Sequence, residues 1–139
     1  MDVTDAIARV QALWANISGV RAAPAEPPEK LDPFPIAITF ERTGALDLAK
    51  MYSGSFASQT GTIWSELHIA RQDNLALAVR AALPYRVPFL RALQGDSNLN
   101  SSVFVVNAVR WTFMPMEWNG LATVGYRFEL DYTLELTPS

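Results

Sequence analysis

The sequence predicts an α+β domain in which a mostly antiparallel sheet of about four strands carries two helices packed on one face. Three observations lead there. Residues 122–136 alternate strictly between apolar side chains (Ala122, Val124, Tyr126, Phe128, Leu130, Tyr132, Leu134, Leu136) and a polar row (Thr123, Gly125, Arg127, Glu129, Asp131, Thr133, Glu135). That period of two is a strand with one face on a core and the other on water or a partner. Two other stretches repeat apolar residues every three or four positions, as amphipathic helices do. The last two strands are joined by a short connection and so pair as an antiparallel hairpin.

The first helix sets Val3, Ile7, Val10, Trp14 and Ile17 on one stripe. Asp2 or Thr4 can cap it, Asp5 suits its positive end, and Gly19 is a plausible stop. One stripe means one buried face, so this helix should lie against the sheet. Pro24, Pro27, Pro28 and Pro33 exclude regular structure over 21–33, which reads as an extended segment crossing the domain. A first strand follows, with Phe34, Ile36, Ile38 and Phe40 as its apolar face and Pro35, Ala37, Thr39 and Glu41 opposite.

Residues 42–61 read as a long functional loop in the form of a mobile hairpin. Leu46, Leu48, Met51, Tyr52 and Phe56 make it too apolar for a disordered segment, so it folds over the core or docks elsewhere. A second strand, 62–71, has Ile63, Leu67 and Ile69 on one face and Trp64, Glu66 and His68 on the other. Asp73 or Asn74 caps a second helix with Leu75, Ala78, Val79 and Ala82 inward. Pro84 is expected to end it, with Pro88 opening a short continuation through Phe89, Leu90 and Leu93.

Residues 95–100 form a turn. The third strand, 102–113, is apolar on both faces at Val103, Phe104, Val105 and Val106, and 114–120 is the tip leading to the fourth. That fourth strand is far longer than the usual five or six residues, so it is expected to project beyond the domain body. Its polar row cannot be covered by the same helices and faces solvent, a channel or a neighbouring subunit.

At 139 residues with half of them hydrophobic, the chain fits a single domain, 1–139, that needs no metal or disulfide to fill its core. Charged residues are 18%, below the usual quarter, which hints that some surface is not meant for water. A net charge of −3 argues against wrapping nucleic acid. The cations are arginines apart from Lys30 and Lys50, which either interface chemistry or genomic base composition produces. There is no cysteine, which excludes disulfides and thiolate metal sites. No stretch is apolar enough for a secretory signal or a membrane span, so a soluble intracellular setting is expected.

Little in the sequence suggests catalysis, and no cofactor or metal is expected. His68 has no second histidine or cysteine to share a metal, and reads as a surface residue on the polar side of its strand. Glu129 and Asp131 stand roughly 7 Å apart by strand geometry, a spacing open to acid–base or calcium chemistry but more simply a solvated face. Ser53-Gly54-Ser55 lacks the lysine of a phosphate loop. Ser101 and Ser102 have no base nearby in sequence. Met114, Met116 and Trp118 at a hairpin tip suit a contact surface, or else Trp118 folds under the sheet as a staple.

The order of elements, with Trp64-Ser65-Glu66-Leu67-His68, Pro84-Tyr85, Met114-Pro115-Met116-Glu117-Trp118-Asn119-Gly120 and Gly125-Tyr126-Arg127-Phe128, resembles the tail terminator or tail-completion proteins of long-tailed bacteriophages, the lambda U-like group. About half the chain carries the likeness, and the first third shows no such signature. The resemblance implies a non-enzymatic virion protein, made in the host cytoplasm, that forms a ring, commonly hexameric, capping the tail tube. Its partners would be copies of itself, the tail tube protein and the head-tail connector of the neck. DNA would pass through the lumen without specific binding, and no membrane is involved. Leu48, Met51, Tyr52, Phe56, Met114, Met116 and Trp118 then become candidates for contact with the tube or a neighbouring subunit, and Arg127, Glu129, Asp131 and Glu135 for the lumen. Another neck or stopper protein is the alternative in the same class. A small α+β ligand-binding domain or enzyme is the alternative from a different one.

Overall fold

The computed structural model describes residues 2–48, 57–103 and 105–136. Along the chain run α1 (Val3–Ala15), β1 (Ile36–Asp47), β2 (Ala57–Ala70), α2 (Leu75–Gln94), β3 (Val105–Trp118) and β4 (Leu121–Leu136). The strands form one antiparallel sheet in the order β1-β2-β4-β3. Both helices pack on the same face of it, α1 chiefly against β1 and α2 against β4. The fold is the α+β arrangement expected from the periodicities.

The alternation in β4 does what period two requires: Tyr126, Phe128, Leu130, Tyr132 and Leu134 are buried with Ile63, Leu67 and Ile69 of β2 under the helices. Trp14 of α1 is the centre of this core. Its ring stacks on Phe89 of α2 at 3.8 Å and meets Phe128 edge-on at 5.7 Å. Such aromatic pairs add about 0.5–1.5 kcal/mol each beyond the area they bury. The indole N–H donates to Ser65 Oγ at 2.7 Å, Ser65 bonds Thr39 at 2.8 Å, and the Thr39 hydroxyl donates to Gln11 Oε1 at 2.6 Å. Gln11 completes the chain by donating its amide to the carbonyls of Pro24 and Ala37 at 2.7 and 2.8 Å. A polar residue is therefore tolerated on the buried face of α1, because every one of these atoms is satisfied.

Several elements differ from the sequence expectation. Ala37 and Thr39, rather than Ile36 and Ile38, face the helices. Ile36 and Ile38 join Leu31 in a second small core on the opposite face, flanked by Ala22, Phe34, Phe40 and Trp118. The proline-rich segment holds no helix and no strand beyond the Ala22 bridge, and it is the cover of this second core. Ala22 forms a parallel bridge with Ile36, and its carbonyl accepts from the Ala37 amide at 2.9 Å.

Residues 42–61 are largely strand where they are described: β1 and β2 pair from Ile36↔His68 to Asp47↔Ser58, with a bulge between Glu41 and Thr43. Met51, Tyr52 and Phe56 lie outside the described residues. The second helix does not end at Pro84; α2 continues through Pro84 and Pro88 to Gln94. Each proline removes one backbone bond. Both are exposed, while the buried Ala82 and Phe89 hold the two halves of the helix on the sheet. Asn74 is the cap, accepting from the Leu77 amide at 3.0 Å. Leu75, expected inward, is 71% exposed, since the buried row starts one turn later at Ala78.

β3 begins three residues later than expected and continues to Trp118, so Met114, Met116 and Trp118 extend a strand rather than form a tip. The turn itself is Asn119-Gly120, with φ of 48° and 85°, the left-handed pair that a two-residue hairpin requires. β4 does not project. It is paired with β2 from Thr123 to Leu136 and with β3 from Leu121 to Thr133. Gly125 interrupts its polar row because any Cβ there would overlap the Leu67 carbonyl oxygen.

Candidate functional site

The face of the sheet turned away from the helices holds the polar row of β4, and cross-strand pairing decides what joins it. Antiparallel partners share a face. Trp64, Glu66 and His68 of β2 therefore stand beside Glu129, Arg127 and Gly125 of β4, and Arg110, Thr112 and Met114 of β3 complete the row.

One half of this face is closed. The proline-rich segment lies over Ile36 and Ile38 and is tied to the β3–β4 hairpin by two bonds. Trp118 Nε1 donates to the Pro28 carbonyl at 2.7 Å, and Asn119 Nδ2 donates to that of Glu29 at 2.6 Å. Trp118 is thus the staple, and Met116 is buried beside it. Little of either side chain remains for a partner. Met114 is half-buried.

Beside the closed half runs a buried polar string. His68 is fully buried, not the surface residue its polar neighbours suggested. Its Nε2 lies 3.0 Å from Glu66 Oε1 and its Nδ1 2.7 Å from Thr123 Oγ1. An ionised carboxylate only accepts, so Nε2 carries the proton. The other Glu66 oxygen accepts from Arg127 Nε at 2.7 Å. Burial alone would raise the Glu66 carboxyl, but the hydrogen bonds from His68 and Arg127 and the Arg127 charge outweigh it and hold it below the ordinary carboxylate range. The Arg127 guanidinium lies over the Trp64 ring at 3.9 Å, and that of Arg42 reaches the same ring at 5.1 Å. With both imidazole nitrogens engaged and the ring fully buried, His68 ties Glu66 of its own strand to Thr123 of β4.

The other half of the face is uncovered. Arg110 donates to Glu129 at 3.2 Å and to both oxygens of Asp131 at 2.5 and 3.2 Å. Thr62 adds a bond to Asp131 at 2.8 Å, and the Arg110 pairing holds the Asp131 carboxyl below its usual range. Thr43, Thr60, Thr62 and Asn107 surround an open depression there. The lumen candidates therefore separate. Glu129, Asp131 and Glu135 border this strip, half-exposed, whereas Arg127 is committed to Glu66 and Trp64. Leu48 lies at the end of β1, 53% exposed.

Among the described residues no group of three His, Asp or Glu side chains could hold a metal ion. What the face offers is a flat ionic and threonine-rich surface. The sequence reading missed Arg42, Arg110 and the burial of Glu66. The alternation of β2 already put Glu66 and His68 on one face, but nothing in it revealed the covering segment. It also passed over Trp111, 44% exposed on β3, although Val109, Trp111 and Phe113 continue one apolar parity. No protein-family model and no curated protein matches this chain.

Proposed function

We propose that this protein is a structural subunit of a long-tailed phage virion that assembles into a ring, caps the tail tube and joins it to the neck. The observation that carries the reading is the uncovered half of the outer sheet face. It is broad and open, and Glu129, Asp131 and Glu135 outnumber Arg110 and Arg42 on it. An acid-rich wall repels DNA phosphates, which suits a passage that DNA must traverse without sticking. The helices, held on the opposite face, would form the outside of the ring. The resemblance of the second half of the chain to tail terminators supports the same reading.

The protein in this reading performs no chemistry. Its work is contact, with copies of itself, with the tube and with the neck. The test is electron microscopy of tail-tube protein polymerising with and without this chain. The reading expects ring-shaped density at one end of each tube and an end to further growth. Tubes of unrestricted length without added density would refute it. Binding only to the neck complex would transfer the role to a connector.

A further inference from the structure

The borders of the sheet are β1 and β3, and each is open over one limited window. On β3 the Val106 amide is spent on the Ser97 carbonyl at 2.7 Å, and a bulge follows between Val106 and Ala108. Farther along, Pro115 has no amide hydrogen to offer. Between these blocks lies Ala108–Met114. On β1 the Pro35 carbonyl and the Ala37 amide are taken by Arg21 and Ala22, and a bulge follows between Glu41 and Thr43. Beyond it, among the described residues, no strand lies against the outer side of Thr43–Leu46. Strand directions alternate across β1-β2-β4-β3, so β3 of one copy laid beside β1 of another continues the sheet in antiparallel fashion.

We propose that neighbouring subunits join by this edge-to-edge pairing, β1 of one copy against β3 of the next, with Leu46 opposite Trp111. The inference rests on the ring reading and gives it a seam. Three independent features meet in that register. Leu46 pairs with Gln59 and Trp111 with Phe128, which puts both on the helix side of the sheet, where they are 50% and 44% exposed.

The backbone agrees. Val106 aims its amide outward and the bulge shifts that parity, leaving Val109, Trp111 and Phe113 with outward backbone groups. Ala37 likewise aims outward, and the bulge in β1 passes that role to Gly44, Leu46 and Leu48. Finally, an apolar groove of about 390 Å³ runs between α2 and β3, lined by Leu90, Leu93, Val106, Val109 and Trp111. Leu46 and Leu48 of the neighbour would fill it. Sliding the pairing by two residues one way sets Gly44 against Trp111 and loses the match; the other way sets Leu48 there, the register that an A45C/M114C pair would trap. The contact uses different surfaces on the two copies, so it is heterologous and closes into a ring if the rotation permits.

The chain has no cysteine, which makes a cross-linking test clean. In the proposed register Ala45 stands opposite Thr112 of the neighbouring copy as a non-hydrogen-bonded pair, with Cα atoms about 4.5 Å apart, within disulfide range. Both residues are exposed, and within one molecule they lie at opposite borders of the sheet. Oxidising the assembled A45C/T112C variant, its circular dichroism matching the wild type, should give a ladder of covalent multiples of 15.4 kDa. A45C/M114C and the single variants should give far less. Intact rings in the micrographs without a ladder would overturn the seam and leave the ring standing. A stronger ladder from A45C/M114C would overturn the register. A protein that never assembles would remove both the ring and its seam.

Discussion

Replacing Glu66 by Gln probes the buried polar string with almost no change of shape. The Glu66 side chain is 4% exposed, with one oxygen 3.0 Å from His68 and the other 2.7 Å from Arg127. Glutamine keeps a single acceptor. If that oxygen serves Arg127, the amide nitrogen faces His68, which can answer by moving its proton to Nδ1 and donating to Thr123. The remaining loss is the countercharge of a guanidinium that is itself 24% exposed. Breaking a fully buried pair costs about 3–5 kcal/mol, so about 2 kcal/mol is expected here.

Urea unfolding at neutral pH measures it. The pH dependence supplies a second check. The native Glu66 carboxyl lies below its ordinary value of 4.5, so its contribution is fully present above that value and is lost as pH falls through the native one. The gap between wild type and E66Q should therefore narrow on acidification. A difference under about 0.5 kcal/mol at neutral pH, the usual range of a surface change, would refute the reasoning. So would a gap unchanged at about pH 3.

Other substitutions sort the remaining contacts. Trp14→Phe keeps the stack on Phe89 but removes the buried donor to Ser65 Oγ, leaving that hydroxyl only its bond with Thr39, and should cost about 1–3 kcal/mol by urea unfolding. Gly125→Ala drives a methyl into the Leu67 carbonyl and should lose at least about 3 kcal/mol or fail to fold. Gly120→Ala meets nothing within 4 Å and should cost only about 1–2 kcal/mol for its positive φ; equal losses at the two glycines would contradict the close approach. Trp118→Phe cuts the bond to the Pro28 carbonyl, so amide exchange should quicken at Ala37, which donates to the covering segment, and stay unchanged in α1.

The fold was legible wherever one face alone is buried. The alternation of β4 and the cap of α2, at Asn74 of the two candidates, follow from local chemistry; the α1 stripe holds at Val10 and Trp14, but Ala6, Gln11 and Leu13 share the buried face and Ile17 lies past the end of the helix. The errors share a cause: burial by a distant segment leaves no periodic trace. In β1, Ile36 and Ile38 are as apolar as the reading required, but alternation cannot say which parity meets the helices, and small Ala37 and Thr39 take that side because Trp14 and Gln11 need the room. His68 and Glu66 read as surface because their neighbours come from far away in sequence: the Trp118 ring lies edge-on to His68 at 6.0 Å, Thr123 bonds its Nδ1, and Arg127 bonds Glu66. Residues 114–120 looked like a tip because they contain Pro115 and Gly120, yet an edge strand accepts a proline whose nitrogen faces outward. Pro84 looked like a terminator for the same reason, on a helix face that water can reach. Of the contact residues, Trp118 turned inward, while Trp111 and Leu46 gained weight only once the strand order made them borders.

The most direct measurement is the molar mass of the purified chain by light scattering, alone and with tail-tube protein. The account requires a closed assembly at a whole multiple of the 15.4 kDa subunit in at least one of the two conditions. A compact monomer at high concentration in both would contradict it.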